Sequence, residues 1–281
     1  MNPYLHFVES IKAGVADAKP ISASGKTEPV KSTSKVLLFS PHPDDECITG
    51  LLPLRLMREA GKQIINIPVT FGSKVERRAG RAKELTDACA YLGWTVFHGA
   101  ENFQPLGVVD AVRILKKFRP EIIFMPHAKD QNVRHISTHV LVMDALRQME
   151  DDFSCTVVET EFWSAMEHPN LMVEADAQTV ADLIAATSFH AEEVKRNPYH
   201  LSLPAWMQDN VRRGSELVGT QGGDAPEFTF ATLYHVSRWT RGAQKDFYEG
   251  GRNLPCGENV AEESRVTGKT VMIKDFLAKI G

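Results

Sequence analysis

The chain has 281 residues, 43% hydrophobic and 24% charged, with a formal net charge of -4. These values lie near globular averages and exclude a disordered, collagen-like or coiled-coil protein. The acidic balance leaves no electrostatic footprint for nucleic acid or an anionic membrane.

Residues 3–18 carry Leu5, Val8, Ile11 and Val15 at helical spacing, and residues 19–35 are rich in Ser, Thr, Lys and Pro. This predicts a short amphipathic helix and a linker, so residues 1–34 stand apart from a domain over 35–281. A strand–helix alternation follows. Strands are expected at 36–40, 64–71, 95–98, 121–125 and 156–162, and helices at 47–60, 76–92, 108–118 and 138–149. The continuous apolar runs at 36–40 and 121–125 read as strands buried on both faces. Further on, 176–189 and 204–218 have helical periodicity, 228–236 reads as a strand, and 250–281 is Gly-rich before a terminal helix. Such alternation predicts an α/β fold with a Rossmann-like, mostly parallel sheet and helices on both faces.

Four scattered cysteines (Cys47, Cys89, Cys155, Cys256) form no C-x-x-C pair, which suits a reducing compartment. No stretch approaches the roughly 18 apolar residues of a membrane span, and the first residues lack a signal-peptide pattern. A cytoplasmic location is expected.

Chemistry concentrates in two turns. After the first strand the chain reads Pro41-His42-Pro43-Asp44-Asp45-Glu46; after the fourth it runs from Pro126-His127 to His135-Ile136-Ser137-Thr138-His139. With strand order 3-2-1-4-5, both turns lie at the topological switch point, where open α/β sheets bind ligands. Imidazoles and a carboxylate suit Zn²⁺, with a further position left to water. A second carboxylate outside the metal's coordination can accept that water's proton, and the doubled acid Asp44-Asp45 offers one of each. Glu46 reads as a charge favoured at a helix N-terminus, and His190 as a structural or surface residue.

At these residues the sequence resembles the LmbE-like / PIG-L de-N-acetylase family, zinc enzymes that hydrolyse the acetamide of N-acetylglucosamine-containing substrates. The P-H-P-D-D-E turn is the family's first signature, and the resemblance implies His42 and Asp45 as zinc ligands and Asp44 as general base. The second signature is usually H-x-x-H, whose last His is the third ligand and whose first assists the oxyanion or the leaving amine. Here one more residue separates His135 from His139. The resemblance is carried to His139 as ligand, because the helix VLVMDAL follows it directly, and to His135 as the assisting group. The altered spacing leaves an exchange of these two roles open. Arg81-x-x-Glu84 followed by Leu92-Gly93 is similar to the family's helix after strand 2, which implies that Arg81 contacts substrate. Glu161-Phe162-Trp163, His168-Pro169-Asn170 and Arg213-Gly214 with Pro226-Glu227-Phe228 extend the likeness over most of 35–240, with Pro226 where Ala is usual.

The expected function is removal of an N-acetyl group from an N-acetylglucosamine-type substrate by metal-activated water. Zn²⁺ is the expected cofactor, with Fe²⁺ as the alternative metal. A small amino-sugar molecule is the expected partner; nucleic acid and membrane are not, and a homo-oligomer stays open. Two rival readings are a zinc amidase acting on a larger amide of an amino-sugar conjugate and a catalytically inactive metal- and sugar-binding protein. An intact Asp44 argues against the second.

Overall fold

The alternation of apolar runs and amphipathic helices folds as an α/β layer structure, seen in a computed structural model that describes residues 2–19, 21, 26–219, 225–248 and 250–256. In chain order the regular elements begin with α1 (Leu5–Asp17), β1 (Lys35–Ser40), α2 (Asp45–Ile48), α3 (Leu51–Ala60), β2 (Gln63–Pro68), α4 (Arg78–Leu92) and β3 (Thr95–Val96). They continue with α5 (Val108–Phe118), β4 (Ile122–Pro126), α6 (Val133–Leu146), β5 (Ser154–Thr160) and β6 (Leu171–Ala175). The last are α7 (Ala177–Ser188), α8 (Ala191–Arg196), α9 (Leu203–Leu217), β7 (Phe230–Thr240), β8 (Ala243–Asp246) and β9 (Arg252–Leu254).

The strands form one sheet in the order β3-β2-β1-β4-β5-β7-β6-β9, with β8 paired to β7. The first five are parallel, as the sequence implies; β7 runs antiparallel to β5 and β6. Alternate residues of β1 feed opposite layers, because successive side chains of a strand point to opposite faces. Val36 and Leu38 pack with Leu54, Leu85 and Leu183 of α3, α4 and α7. Leu37 and Phe39 pack with Ile114, Leu115 and Val142 of α5 and α6. Burial on both faces explains why β1 is apolar between its end residues and β4 is apolar along its length.

The single helix expected over 47–60 is two. Pro53 lacks the N–H that an uninterrupted helix would direct to the Thr49 carbonyl, so the chain restarts with Pro53 in the first turn of α3, where that N–H has no helical partner to lose. The Tyr234 hydroxyl fills the break, donating to the Thr49 carbonyl and accepting from the Leu52 N–H, both at 3.1 Å. The helix expected from 138 starts five residues earlier. Asn132 caps it, its side chain accepting the Arg134 N–H at 2.9 Å, a preferred N-cap arrangement. His135 and His139 therefore lie one turn apart on one helix. The short β6 and α8 were not expected. The expected terminal helix lies largely outside the described residues.

α1 has no buried residue, so its apolar stripe faces away from the described core. No helix among the described residues is long and apolar enough to cross a membrane.

Candidate active site

The turn leaving β1 and the start of α6, which follows β4, meet at the carboxyl ends of these neighbouring strands. They form the floor of a cleft of about 490 Å³ lined by His42, Asp44 and Asp45, a volume within the usual range of small-molecule sites. His42, Asp45 and His135 bring potential ligand atoms within 4.8 Å of one another. Both imidazoles approach the same carboxylate oxygen, Asp45 Oδ2, His42 through Nδ1 and His135 through Nε2, at 3.3 Å each. That oxygen also accepts the His42 backbone N–H at 2.9 Å, while Asp45 Oδ1 accepts the indole N–H of Trp163 at 3.2 Å.

His135 is buried, and its other ring nitrogen faces Asp130 Oδ2 at 3.3 Å. A neutral imidazole that donates from Nδ1 to this carboxylate turns a bare lone pair at Nε2 toward Asp45. Nε2 makes no hydrogen bond. Two acceptors facing each other in a buried place suit a cation between them, and a carboxylate behind a ligating imidazole is the usual way its orientation is fixed. The donor set therefore fits a divalent metal. Without a cation, burial disfavours the imidazolium, but the charges of Asp45 and Asp130 overcome it and push His135 up to about 10. Burial likewise opposes the Asp45 carboxylate, yet His135 and His42 hold it well below the usual range.

His139, expected as the third ligand, is not in this cluster. Its Nδ1 lies 3.1 Å from the Pro126 carbonyl oxygen and 3.3 Å from Glu159 Oε1. The early start of α6 is the physical reason: the first turn delivers His135 to Asp45, and the next turn carries His139 to Pro126 of β4 and Glu159 of β5. The H-x-x-H pattern then aligns as Asn132-Val133-Arg134-His135, so an amide stands where the signature has its first imidazole.

Asp44 lies beside the cluster with an unusual backbone, φ 125° and ψ -34°. For a residue with a side chain this costs of order 1–3 kcal/mol and persists only when the surroundings impose it. They do so through Glu46, which is fully buried: its Oε2 accepts the Asp44 N–H at 2.8 Å, and its Oε1 faces His190 Nε2 at 2.8 Å. His190, expected at the surface or in a structural role, is a buried brace for Glu46; burial disfavours its cation, but Glu46 and Asp44 raise its pKa. On its outer side Asp44 Oδ2 accepts the Tyr199 hydroxyl at 2.5 Å. Burial and the adjacent Asp45 charge push the Asp44 carboxyl up to about 7, against the pull of His190 and Tyr199.

Arg81 lines the cleft, as expected of a substrate contact, but Nη2 also donates to the Pro43 carbonyl at 3.0 Å. It packs on Gly72, whose φ of 87° favours glycine and where an added Cβ would lie 2.7 Å from Arg81 Nη1. Tyr199, Asp130 and His190 escape detection in the sequence, since no spacing links them to the turns they support. Trp163 lies in a segment carrying the family resemblance, but without a signal that its indole reaches Asp45.

Residues 37–146 match the family model PIG-L, described as GlcNAc-PI de-N-acetylase. This segment is a PIG-L (LmbE-like) domain. No curated protein matches the chain in sequence. Among solved structures, the 4-carboxy-2-hydroxymuconate hydratase GalB of Pseudomonas putida KT2440 is 15% identical, with a TM-score of 0.57 over 72% of this chain and 95% of its own. The N,N'-diacetylchitobiose deacetylase of Pyrococcus horikoshii is 14% identical, with a TM-score of 0.54 over 86% and 94%. A zinc-inhibited form of teicoplanin deacetylase Orf2 is 14% identical, with a TM-score of 0.53 over 76% and 100%. At these identities the structural likeness is one of fold, shared by the PIG-L segment, by deacetylases and by a hydratase.

Proposed function

We propose that this chain is a metal-dependent hydrolase that removes an N-acetyl group from an amino-sugar substrate. The observation that carries the reading is the convergence of His42, Asp45 and His135 within 4.8 Å, beside the buried carboxylate of Asp44. The PIG-L match over 37–146 supports the same activity. His42, Asp45 and His135 would hold the cation, and two imidazoles with one carboxylate suit Zn²⁺, with Fe²⁺ as the alternative. Such an ion, when bound, lowers the pKa of a coordinated water to about 7 and polarises a carbonyl oxygen.

The chain's own residues do the rest. Asp44 accepts a proton from the attacking water at its carboxylate; the Tyr199 hydroxyl, donating to Oδ2, fixes which way that carboxylate turns. As the carbon–nitrogen bond breaks, Asp44 gives the proton to the amine nitrogen, releasing acetate and a free amino sugar. This return falls to Asp44 because Asn132, three residues before His135, cannot supply a proton as an imidazole would. Trp163, at 41% exposure beside Asp45, offers a ring face to the sugar. Arg81 braces the Pro43 carbonyl, and so holds the turn that carries the base.

The test is acetate release from a panel of N-acetylglucosamine derivatives by the zinc-loaded chain. Asp44→Asn should keep the metal and lose about 100-fold or more of turnover, within the usual span for a positioned general base. Turnover retained in that variant removes Asp44 from the base role, and no acetate from any derivative overturns the activity.

A further inference from the structure

The wall of the cleft is far more basic than the chain as a whole. Lys74, Arg77, Arg78, Arg81, Arg134 and Arg196 line it, against the carboxylates of Asp44 and Asp45 at the floor and Glu193, in a protein whose net charge is -4. Glu193 is buried and stands amid three of the guanidinium groups: Arg77 Nη2 at 3.1 Å, Arg81 Nε at 3.9 Å, and Arg196, which hydrogen-bonds its other oxygen. One carboxylate thus gathers three cations and neutralises one of them. The buried Arg81 Nε makes no hydrogen bond. Lys74 and Arg134 have no side-chain partner among the described residues.

The placement is electrostatically adverse in the free protein. Arg77 caps α4 and Arg78 opens it, with no acidic residue in the first turn and no side-chain cap. Helix N-termini carry partial positive charge and favour acids, so these arginines add to a potential that already repels them. An anion bound between them relieves both terms. Guanidinium forks fit carboxylate and phosphate oxygens in pairs, and the segment 74–78 and α8 present such forks from two sides of the same cleft.

We infer that the substrate carries an anionic oxygen group, a phosphate or a carboxylate, held by Arg77, Arg78 and Arg196 while its acetamide faces Asp44. The amino-sugar part of this statement rests on the function proposed above; the anion does not. Lys74 and Arg134, exposed at the rim, draw the charged substrate in, and their effect weakens with salt.

The experiment compares N-acetylglucosamine, N-acetylglucosamine 6-phosphate and N-acetylmuramic acid in acetate release, and also their equilibrium binding to the zinc-loaded Asp44→Asn variant by calorimetry. An anionic compound should exceed the neutral one at least tenfold in kcat/KM, and the phosphate and carboxylate arms tell which anion is preferred. The preference should fall at least fivefold in Arg78→Gln and, should that variant misfold, in the exposed Arg134→Gln. Equal or better use of the neutral sugar overturns the anion and leaves deacetylation standing. If none is hydrolysed, deacetylation fails, and binding decides the anion alone: tighter binding of a charged compound upholds it, equal binding overturns it.

Discussion

Exchanging each of the two α6 imidazoles for glutamine separates their roles. His135 Nε2 approaches Asp45 Oδ2 at 3.3 Å, and its Nδ1 is backed by Asp130, so His135→Gln removes one of three candidate donors together with its support. Losing only the partner behind a ligand costs roughly 10–100-fold in metal affinity. Losing the donor should therefore cost about 100-fold or more, or about 2.8 kcal/mol at 1.4 kcal/mol per tenfold. His139 Nδ1 faces the Pro126 carbonyl and Glu159 with a single N–H; at about 0.5–1.5 kcal/mol for one hydrogen bond, His139→Gln should lower stability by about that amount and leave metal affinity unchanged. Competition with a fluorescent zinc chelator gives the affinities, and thermal unfolding in EDTA gives the stabilities. A His139→Gln protein that loses zinc while His135→Gln retains it would refute the ligand set and the helix-start argument behind it.

Further outcomes concern the base, pH and the core. Tyr199→Phe removes a hydrogen bond that lowers the Asp44 pKa; the acid limb of the kcat/KM profile should move to higher pH, and an unmoved limb would detach Tyr199 from Asp44. The metal-free His135 holds its proton up to about 10, so metal binding must displace it. Zinc affinity should fall as pH is lowered from 8 to 6, by about tenfold per unit for a single displaced proton, and a flat profile would exclude this competition. Leu54→Ala, at a fully buried position of the core, should cost about 2–5 kcal/mol in urea unfolding with zinc stoichiometry intact; metal lost from the folded variant would show that the site depends on that layer.

The parallel half of the sheet was legible because strands buried on both faces must be apolar throughout, and KVLLFS and IIFMP are nearly so. The polar turn after β1 was equally plain, since four polar residues between a buried strand and a helix have few structural uses. The start of α6 was not: in Gln131-Asn132-Val133-Arg134-His135 no apolar period announces a helix, and its decisive signal is one Asn at the cap. That boundary drew the expectation to His139, one helical turn beyond the imidazole that lies beside Asp45. β6 went unseen because LMVEA is five residues long and directly precedes a helix. Tyr199, Asp130 and His190 act only through contacts with distant segments, and local pattern carries no trace of them.

Tyr234 ties the Pro53 break to β7, and Tyr199, His190 and Trp163 reach back to the turn at 42–46 from beyond α6. A ribosome that has delivered residues 1–146 has therefore released every candidate donor to the cation but none of these four props. Asp44 would then lack the far-off His190 brace behind Glu46 that sustains its costly backbone shape, and the cleft would be left without Trp163 and Arg196. Competence is in this sense delayed: the chemistry is written early in the polypeptide, and the scaffold that tensions it emerges only with the later strands and helices.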